Sequence, residues 1–151
     1  MVIIRTIEFE DIEKGFLEVL ENLVPADIDK KQARQILQKI KSNPLHKIFV
    51  AEEGQQDCKK IVGTTTLFVE PKFINKGMRV GYIEDVSVRK GHEGLGIGSK
   101  LVTYATKHAI SEERCEKILL YCSEKNRQLY EKLGYKLAAN TFVMKFETQA
   151  S

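Results

Sequence analysis

The chain has little of what marks secreted, membrane-bound or disordered proteins: its 151 residues include three prolines, three cysteines and no long apolar run. No window approaches the 18 apolar residues of a membrane-spanning helix, which excludes a membrane protein. Scarce proline beside 42% apolar and 30% charged residues argues against disorder. The net charge of +3 permits an anionic substrate but is too small for a nucleic-acid-binding protein. We therefore expect a single domain over residues 1–151.

The cysteines, Cys58, Cys115 and Cys122, are too few for a disulfide framework and form no Cys-x-x-Cys pair. The three histidines add no metal-ligand spacing, so we expect no metal site. Cys122 follows an apolar run and could be a nucleophile, but no histidine is near it in sequence, which favours a small core residue. Reduced cysteines and the absence of a signal-peptide pattern at the amino terminus predict a cytoplasmic protein.

Hydrophobic periodicity predicts an α/β (α+β) protein built on one central mixed sheet. Asp11 is the expected N-cap of a first long helix, and Asn43-Pro44 is expected to end a second. A later pair of helices is expected over Ser99–Ser111 and Asn126–Leu133. The expected strands are Val2–Ile7, Lys47–Glu52, Lys60–Val69, Arg79–Arg89, Lys117–Cys122 and Lys136–Phe146.

The most informative segment is Gly91–Gly98, where four glycines lie between a predicted strand and a predicted helix. Glycine lets the backbone approach a ligand closely and adopt positive φ. The first N–H groups of a helix have no partners within it, so they can donate to an anion. The segment predicts a phosphate or pyrophosphate cradle, although a tight turn alone would also use glycines. Its spacing fits neither a Walker A loop nor Gly-x-Gly-x-x-Gly.

Two motifs resemble the GNAT acetyltransferases. Glu93-Gly-Leu-Gly-Ile-Gly98 is similar to their Gln/Arg-x-x-Gly-x-Gly/Ala pyrophosphate loop, with Glu93 as a departure. Asn126-Arg-Gln-Leu-Tyr130-Glu-Lys-Leu-Gly134-Tyr135 resembles their second signature. The resemblance implies the GNAT fold: a mostly antiparallel sheet with splayed strands, flanked by helices. It also implies acetyl-CoA as co-substrate, with no metal.

The resemblance also implies where acetyl-CoA binds. The backbone near Val86 would polarise the thioester carbonyl, and the loop amides would hold the pyrophosphate. Asn126 would hold the pantetheine arm or the returning chain, and Tyr130 would donate a hydrogen bond or proton to the leaving thiolate. The full implied set is Val86, Ser87, Val88, Gly94, Leu95, Gly96, Ile97, Gly98, Ser99, Asn126, Tyr130 and Lys132.

A narrower resemblance, to the glucosamine 6-phosphate N-acetyltransferases, is carried by Gly81-Tyr-Ile-Glu-Asp-Val-Ser-Val88 and by residues 117–135. It implies that Glu84 and Asp85 contact the amino sugar, and that Glu84 orients a water that takes the amine proton. Strand alternation predicts that these two side chains point to opposite faces. Either carboxylate could instead form a structural ion pair.

The same resemblance implies that Lys72, Lys117 and Lys145 bind the sugar phosphate, with Lys145 in place of an arginine. Val24 stands where the family usually has threonine, so that only a backbone contact is expected there. Tyr121 replaces a usual acid near the amine, which leaves the acceptor open.

The leading hypothesis is direct acetyl transfer to glucosamine 6-phosphate in a ternary complex, as a step of UDP-N-acetylglucosamine biosynthesis. One alternative is a GNAT enzyme for another amine, such as a polyamine or a protein α-amine. Another is a non-catalytic acyl-CoA-binding module. The family resemblance implies a homodimer that shares its carboxy-terminal strand. We expect neither nucleic acid nor a membrane as partner.

Overall fold

A computed structural model describes residues 1–138 of the chain. The chain divides into two compact units, Met1–Tyr121 and Cys122–Ser151. The first contains a five-stranded sheet with its helices, and the described part of the second contains two short helices. A single domain over the whole chain stays a prediction.

The sheet has the order β1-β2-β3-β4-β5. Neighbouring strands from β1 to β4 run antiparallel, whereas β4 and β5 run parallel. The strands are β1 (Val2–Thr6), β2 (His46–Glu53), β3 (Lys60–Pro71), β4 (Arg79–Val88) and β5 (Lys117–Leu120). The first five predicted strands are therefore confirmed, although β5 ends two residues early and is only half-buried. Of the predicted Lys136–Phe146 strand, residues 136–138 form no strand, and the rest lies outside the described residues.

Five α-helical segments accompany the sheet: α1 (Phe16–Leu20), α2 (Lys30–Lys41), α3 (Ile74–Gly77), α4 (Ile97–Ser111) and α5 (Arg127–Lys132). Short 3-10 helices lie at Phe9–Ile12 and Glu124–Asn126. α2 begins at a capping box between Asp29 and Gln32. α4 packs closely on β3, since a Cβ at Gly63 would lie 2.8 Å from side-chain atoms of Ile97 and Leu101.

The predicted helix with Asp11 as its N-cap is wrong. Asp11 lies inside the 3-10 helix and is fully buried, where it accepts hydrogen bonds from Arg5 and from the backbone N–H of Glu8. The helix begins only at α1, after Gly15, whose φ of 90° breaks the helical path. Glycine is favoured there because its φ is positive, and an added Cβ would also displace the Arg89 guanidinium, which donates to the Gly15 carbonyl.

A buried ion network joins β1, β2 and the 3-10 helix. Arg5 donates two hydrogen bonds of 2.7 Å to Asp11 and one of 2.6 Å to Glu52. Lys59 and Lys14 also lie within ion-pair distance of Glu52, which is 5% exposed. Burial by itself would raise the pKa of Glu52, but the hydrogen bonds from Arg5 and Lys59 outweigh it and lower that pKa to about 2. Among the described residues, Glu52 is the one carboxylate that Arg5, Lys14 and Lys59 share, so the network depends on it.

We expect Glu52→Gln to destabilise the fold by about 2 kcal/mol at pH 7 and to flatten its acid unfolding. The folded pKa lies below the usual 4.5, so this stabilisation is complete above pH 4.5 and is lost as the pH falls towards 2. Urea unfolding at pH 7, 4 and 3 measures the difference. Glu112→Gln, on an exposed side chain, is the control. If the free energy of unfolding changes with pH by the same amount in the wild type and in Glu52→Gln, the role of Glu52 is contradicted.

Candidate active site

A β-bulge in β4 determines where the two predicted carboxylates lie. Thr64 of β3 pairs with Ser87, whereas Thr66 pairs with Glu84, so two residues of β4 oppose one of β3. Asp85 is one of these two residues, and its φ of 50° lies in the left-handed region. The bulge interrupts the alternation of side chains, and the prediction that Glu84 and Asp85 face opposite sides of the sheet is wrong: both line one cavity.

This cavity has a volume of about 330 Å³ and lies among α1, α2 and the strands β2, β3 and β4. Both Glu84 and Asp85 are exposed, and neither forms an ion pair within residues 1–138. Two neighbouring carboxylates that have no cation as partner can bind an ammonium group. The rest of the wall is largely apolar and includes Phe16, Leu17, Leu20, Ile28, Leu37 and Ile48.

Beyond the bulge, β4 continues without its parallel neighbour. β5 pairs with β4 from Val80 to Ile83 and then ends, while β4 runs on to Val88. The end of the pairing agrees with the predicted splay and leaves this edge of β4 free of a strand partner in the part of the chain that the structure describes. The Ser87 side chain is buried and donates a 2.6 Å hydrogen bond to the carbonyl of Val19, so only its backbone is available to a ligand.

The glycine segment leads from β4 into α4. Gly91, Gly94 and Gly96 have φ values of 88°, 79° and 77°, and no atom lies within 4 Å of the position a Cβ would take at any of them. Gly96 is the N-cap of α4, and the N–H of Lys100 makes the bond to its carbonyl at 3.0 Å. The N–H groups between them, those of Ile97, Gly98 and Ser99, start the helix and have no intrahelical acceptor. An open loop with aligned N–H groups suits a bound anion.

The side chains of this segment contribute less than its backbone. Ile97 is buried in the core, whereas Leu95 is exposed. The Glu93 carboxylate is turned back on the loop, where it accepts from the N–H of Gly91 at 2.6 Å and from the side-chain amide of Asn22 at 3.1 Å. Hydrogen bonds from the backbone N–H groups of Glu93 itself and of Gly91 lower the pKa of this carboxyl. The sequence did not predict a role for Asn22, because no feature near residue 22 indicates a hydrogen bond to Glu93, 71 positions away.

The predicted cation Lys72 is held by an acid that the sequence reasoning passed over. Its ammonium lies 2.7 Å from Glu70, whose other carboxylate oxygen accepts from the Tyr82 hydroxyl at 2.8 Å. The hydrogen bond to Glu70 raises the pKa of Lys72, and the reciprocal bond lowers that of Glu70. Lys117 is exposed at the start of β5, and Lys145 lies outside the described residues.

Val24 and Tyr121, the two predicted departures from the family pattern, are both exposed. The N–H of Val24 donates to the carbonyl of Leu20, so a backbone contact at Val24 would use its carbonyl oxygen. Tyr121 has a phenol side chain, so it does not supply the carboxylate expected from the family pattern at this position.

In the second unit, Asn126 ends the 3-10 helix and precedes α5. Tyr130 is buried on α5, with its ring edge-to-face with that of Tyr135 at 6.3 Å. Burial raises the pKa of Tyr130, with smaller contributions from Cys122 and Tyr135, so its hydroxyl stays protonated at neutral pH. Lys132 is exposed. Cys122 is also exposed, so its interpretation as a core residue is wrong.

Among residues 1–138, no group of three or more histidine, cysteine or acidic side chains could hold a metal ion. A search of the same residues finds no helix that is both long enough and apolar enough to cross a membrane.

We expect Gly96→Ala to lower the free energy of unfolding by about 1–2 kcal/mol, because alanine is strained at positive φ. Gly98→Ala is the matched control: Gly98 has ordinary helical geometry, and its added Cβ would lie 3.6 Å from Val88 in normal contact. Chemical denaturation of both variants measures the difference. Equal stability of the two variants would contradict the left-handed N-cap.

Known proteins resemble this chain over most of its length. A family model described as Acetyltransferase (GNAT) family matches residues 9–135. A glucosamine 6-phosphate N-acetyltransferase from Candida albicans is 35% identical over 144 residues, covering 94% of each chain. One from Arabidopsis thaliana is 35% identical over 133 residues and covers 87% of each.

Solved structures agree. The crystal structure of glucosamine-6-phosphate N-acetyltransferase from Arabidopsis thaliana matches with a TM-score of 0.87 and 32% identity, over 97% of this chain and 99% of that one. A Trypanosoma brucei acetyltransferase matches with a TM-score of 0.83 and 28% identity, over 97% and 100%. The predicted fold and the resemblance that carried it are confirmed: this chain belongs to the GNAT acetyltransferase family.

Proposed function

We propose that this protein transfers the acetyl group of acetyl-CoA to the 2-amino group of glucosamine 6-phosphate. The observation that carries the proposal is the bulge in β4, which brings Glu84 and Asp85 to one cavity on the strand that leads into the glycine segment. The names of the relatives from Candida albicans and Arabidopsis thaliana support this acceptor, since each aligns with almost the whole of this chain.

Acetyl-CoA binds with its pyrophosphate on the N–H groups between Gly94 and Ser99. Its pantetheine arm lies along the free edge of β4, beside the backbone of Val86 and Val88, and is held by Asn126. The N–H near Val86 polarises the thioester carbonyl. Lys132, exposed on α5, contributes a cation to the same ligand.

The transfer is direct within a ternary complex. A water oriented by Glu84 accepts a proton from the ammonium, and the neutral amine attacks the thioester carbon. The new C–N bond forms as the C–S bond breaks, and the nitrogen loses its second proton to the same water. Tyr130 supplies a proton to the thiolate and regains one from solvent. Burial raises the pKa of Tyr130, so its hydroxyl is protonated at neutral pH and has a proton to donate.

The sugar phosphate is held by Lys72, Lys117 and Lys145, and Asp85 binds the amino sugar. Lys72 must exchange its contact with Glu70 for one with the phosphate, and both are ionic, so the exchange is feasible. Val24 and Tyr121 border the acceptor.

The product serves UDP-N-acetylglucosamine biosynthesis. The protein works as one N-acetyltransferase domain in a cytoplasmic homodimer. It uses no metal and needs neither nucleic acid nor a membrane as partner.

The apolar wall of the cavity favours a second candidate, a GNAT enzyme whose acceptor amine has a less polar body than a sugar. Tyr121 in place of an acid is consistent with this second candidate.

Mass-spectrometric detection of products from acetyl-CoA and a panel of amines tests the proposal. The panel contains glucosamine 6-phosphate, glucosamine, spermidine and a peptide with a free α-amine. We expect N-acetylglucosamine 6-phosphate as the preferred product, with turnover of unphosphorylated glucosamine at least about tenfold slower, since the phosphate makes charge-assisted hydrogen bonds. Preference for another amine would contradict the acceptor, and bound CoA without any turnover would indicate a non-catalytic module.

A further inference from the structure

The Asn22 side chain links two segments that are far apart in sequence. Its amide nitrogen donates to the carbonyl of Val88 at 2.8 Å, at the end of β4, and to the Glu93 carboxylate at 3.1 Å. The other oxygen of Glu93 accepts from the N–H of Gly91 at 2.6 Å. We call this set, Asn22, Val88, Gly91 and Glu93, the Asn22–Glu93 clasp. It joins the chain just after α1 to the entrance of the glycine segment.

The clasp is the most exposed of three side-chain connections between the α1 region and residues 87–93. Arg89 donates to the carbonyl of Gly15 at 2.7 Å, and Ser87 donates to that of Val19 at 2.6 Å. These two are buried or half-buried, whereas Asn22 and Glu93 are exposed. The inner connections therefore hold α1 in place, and the exposed clasp is the one that a ligand can influence.

Because Glu93 is negatively charged, the position of its carboxylate affects anion binding by the loop. A carboxylate within a loop that binds an anion repels that anion unless its charge is directed elsewhere. Its contacts with Gly91 and Asn22 satisfy both of its oxygens on the side of α1. The hydrogen bond to Gly91 also fixes the backbone at the start of the turn, three residues before Gly94.

We propose that Asn22 and Glu93 are positioning residues that couple the acceptor segment at Val24 to the pyrophosphate loop. The inference rests on the proposed function, because it assigns these two segments to the acceptor and to acetyl-CoA. Coupling is reciprocal: if bound CoA stabilises the clasp, it tightens acceptor binding, and the acceptor tightens CoA binding by the same factor.

Calorimetric titration with CoA, with and without saturating glucosamine 6-phosphate, tests the clasp. The variants are Asn22→Ala, Glu93→Ala and the double variant. Glu112→Ala is the control, since it removes an equal charge from an exposed site at the end of α4. Thermal unfolding verifies that each variant is folded.

We expect each single variant to weaken CoA binding about three- to tenfold, the effect of losing one or two hydrogen bonds. The double variant should bind no more weakly than the worse single variant, because the two residues act as one unit. The factor by which glucosamine 6-phosphate tightens CoA binding should fall to near one in all three and stay unchanged in Glu112→Ala.

The inference would be overturned if Glu93→Ala bound CoA as tightly as the wild type, or more tightly. Glu93 would then be only a negative charge that repels the bound anion, with no positioning role. Additive losses in the double variant would overturn the inference as well, as would an unchanged coupling factor. If glucosamine 6-phosphate does not bind the wild type at all, the proposed function fails, while the CoA titrations alone still test whether Asn22 and Glu93 act as one unit.

Discussion

The site depends on one backbone irregularity, the bulge at Asp85. A regular strand would send successive side chains to opposite faces, and only one of the two carboxylates would reach the cavity. The extra residue brings Glu84 and Asp85 together. The left-handed conformation of a non-glycine residue costs free energy, which the paired strand on either side of the bulge offsets. Such a feature is typical of functional sites.

The sheet separates structural charges from functional ones. Arg5, Asp11 and Glu52 form a satisfied network near β1, where every charge has a partner. Glu84 and Asp85 lack such partners within residues 1–138 and remain able to bind a cation. The glycine segment follows the same principle with backbone groups, since its first helical N–H groups have no acceptor within α4. The chain thus leaves unpaired those groups that a charged ligand can satisfy.

Much of this arrangement follows from local sequence. The glycines at 94 and 96 required an open turn, and apolar periodicity located α2, α4 and the first five strands. The errors have physical causes. Asp11 has the residue type of an N-cap, but Arg5 and burial recruit it into an ion network. The bulge at Asp85 contains no glycine that would have indicated it in the sequence. The hydrogen-bond partners of Glu93 and Lys72 are known only from the folded structure.

In this proposal, β4 and the glycine segment form one site with two ligands. Two-dimensional NMR of the ¹⁵N-labelled protein, titrated first with CoA and then with glucosamine 6-phosphate, tests it most directly. We predict that CoA shifts the amide signals of Gly94 to Ser99, and that the sugar then shifts those of Glu84 and Asp85. Sugar-induced shifts that leave Glu84 and Asp85 unchanged would contradict it.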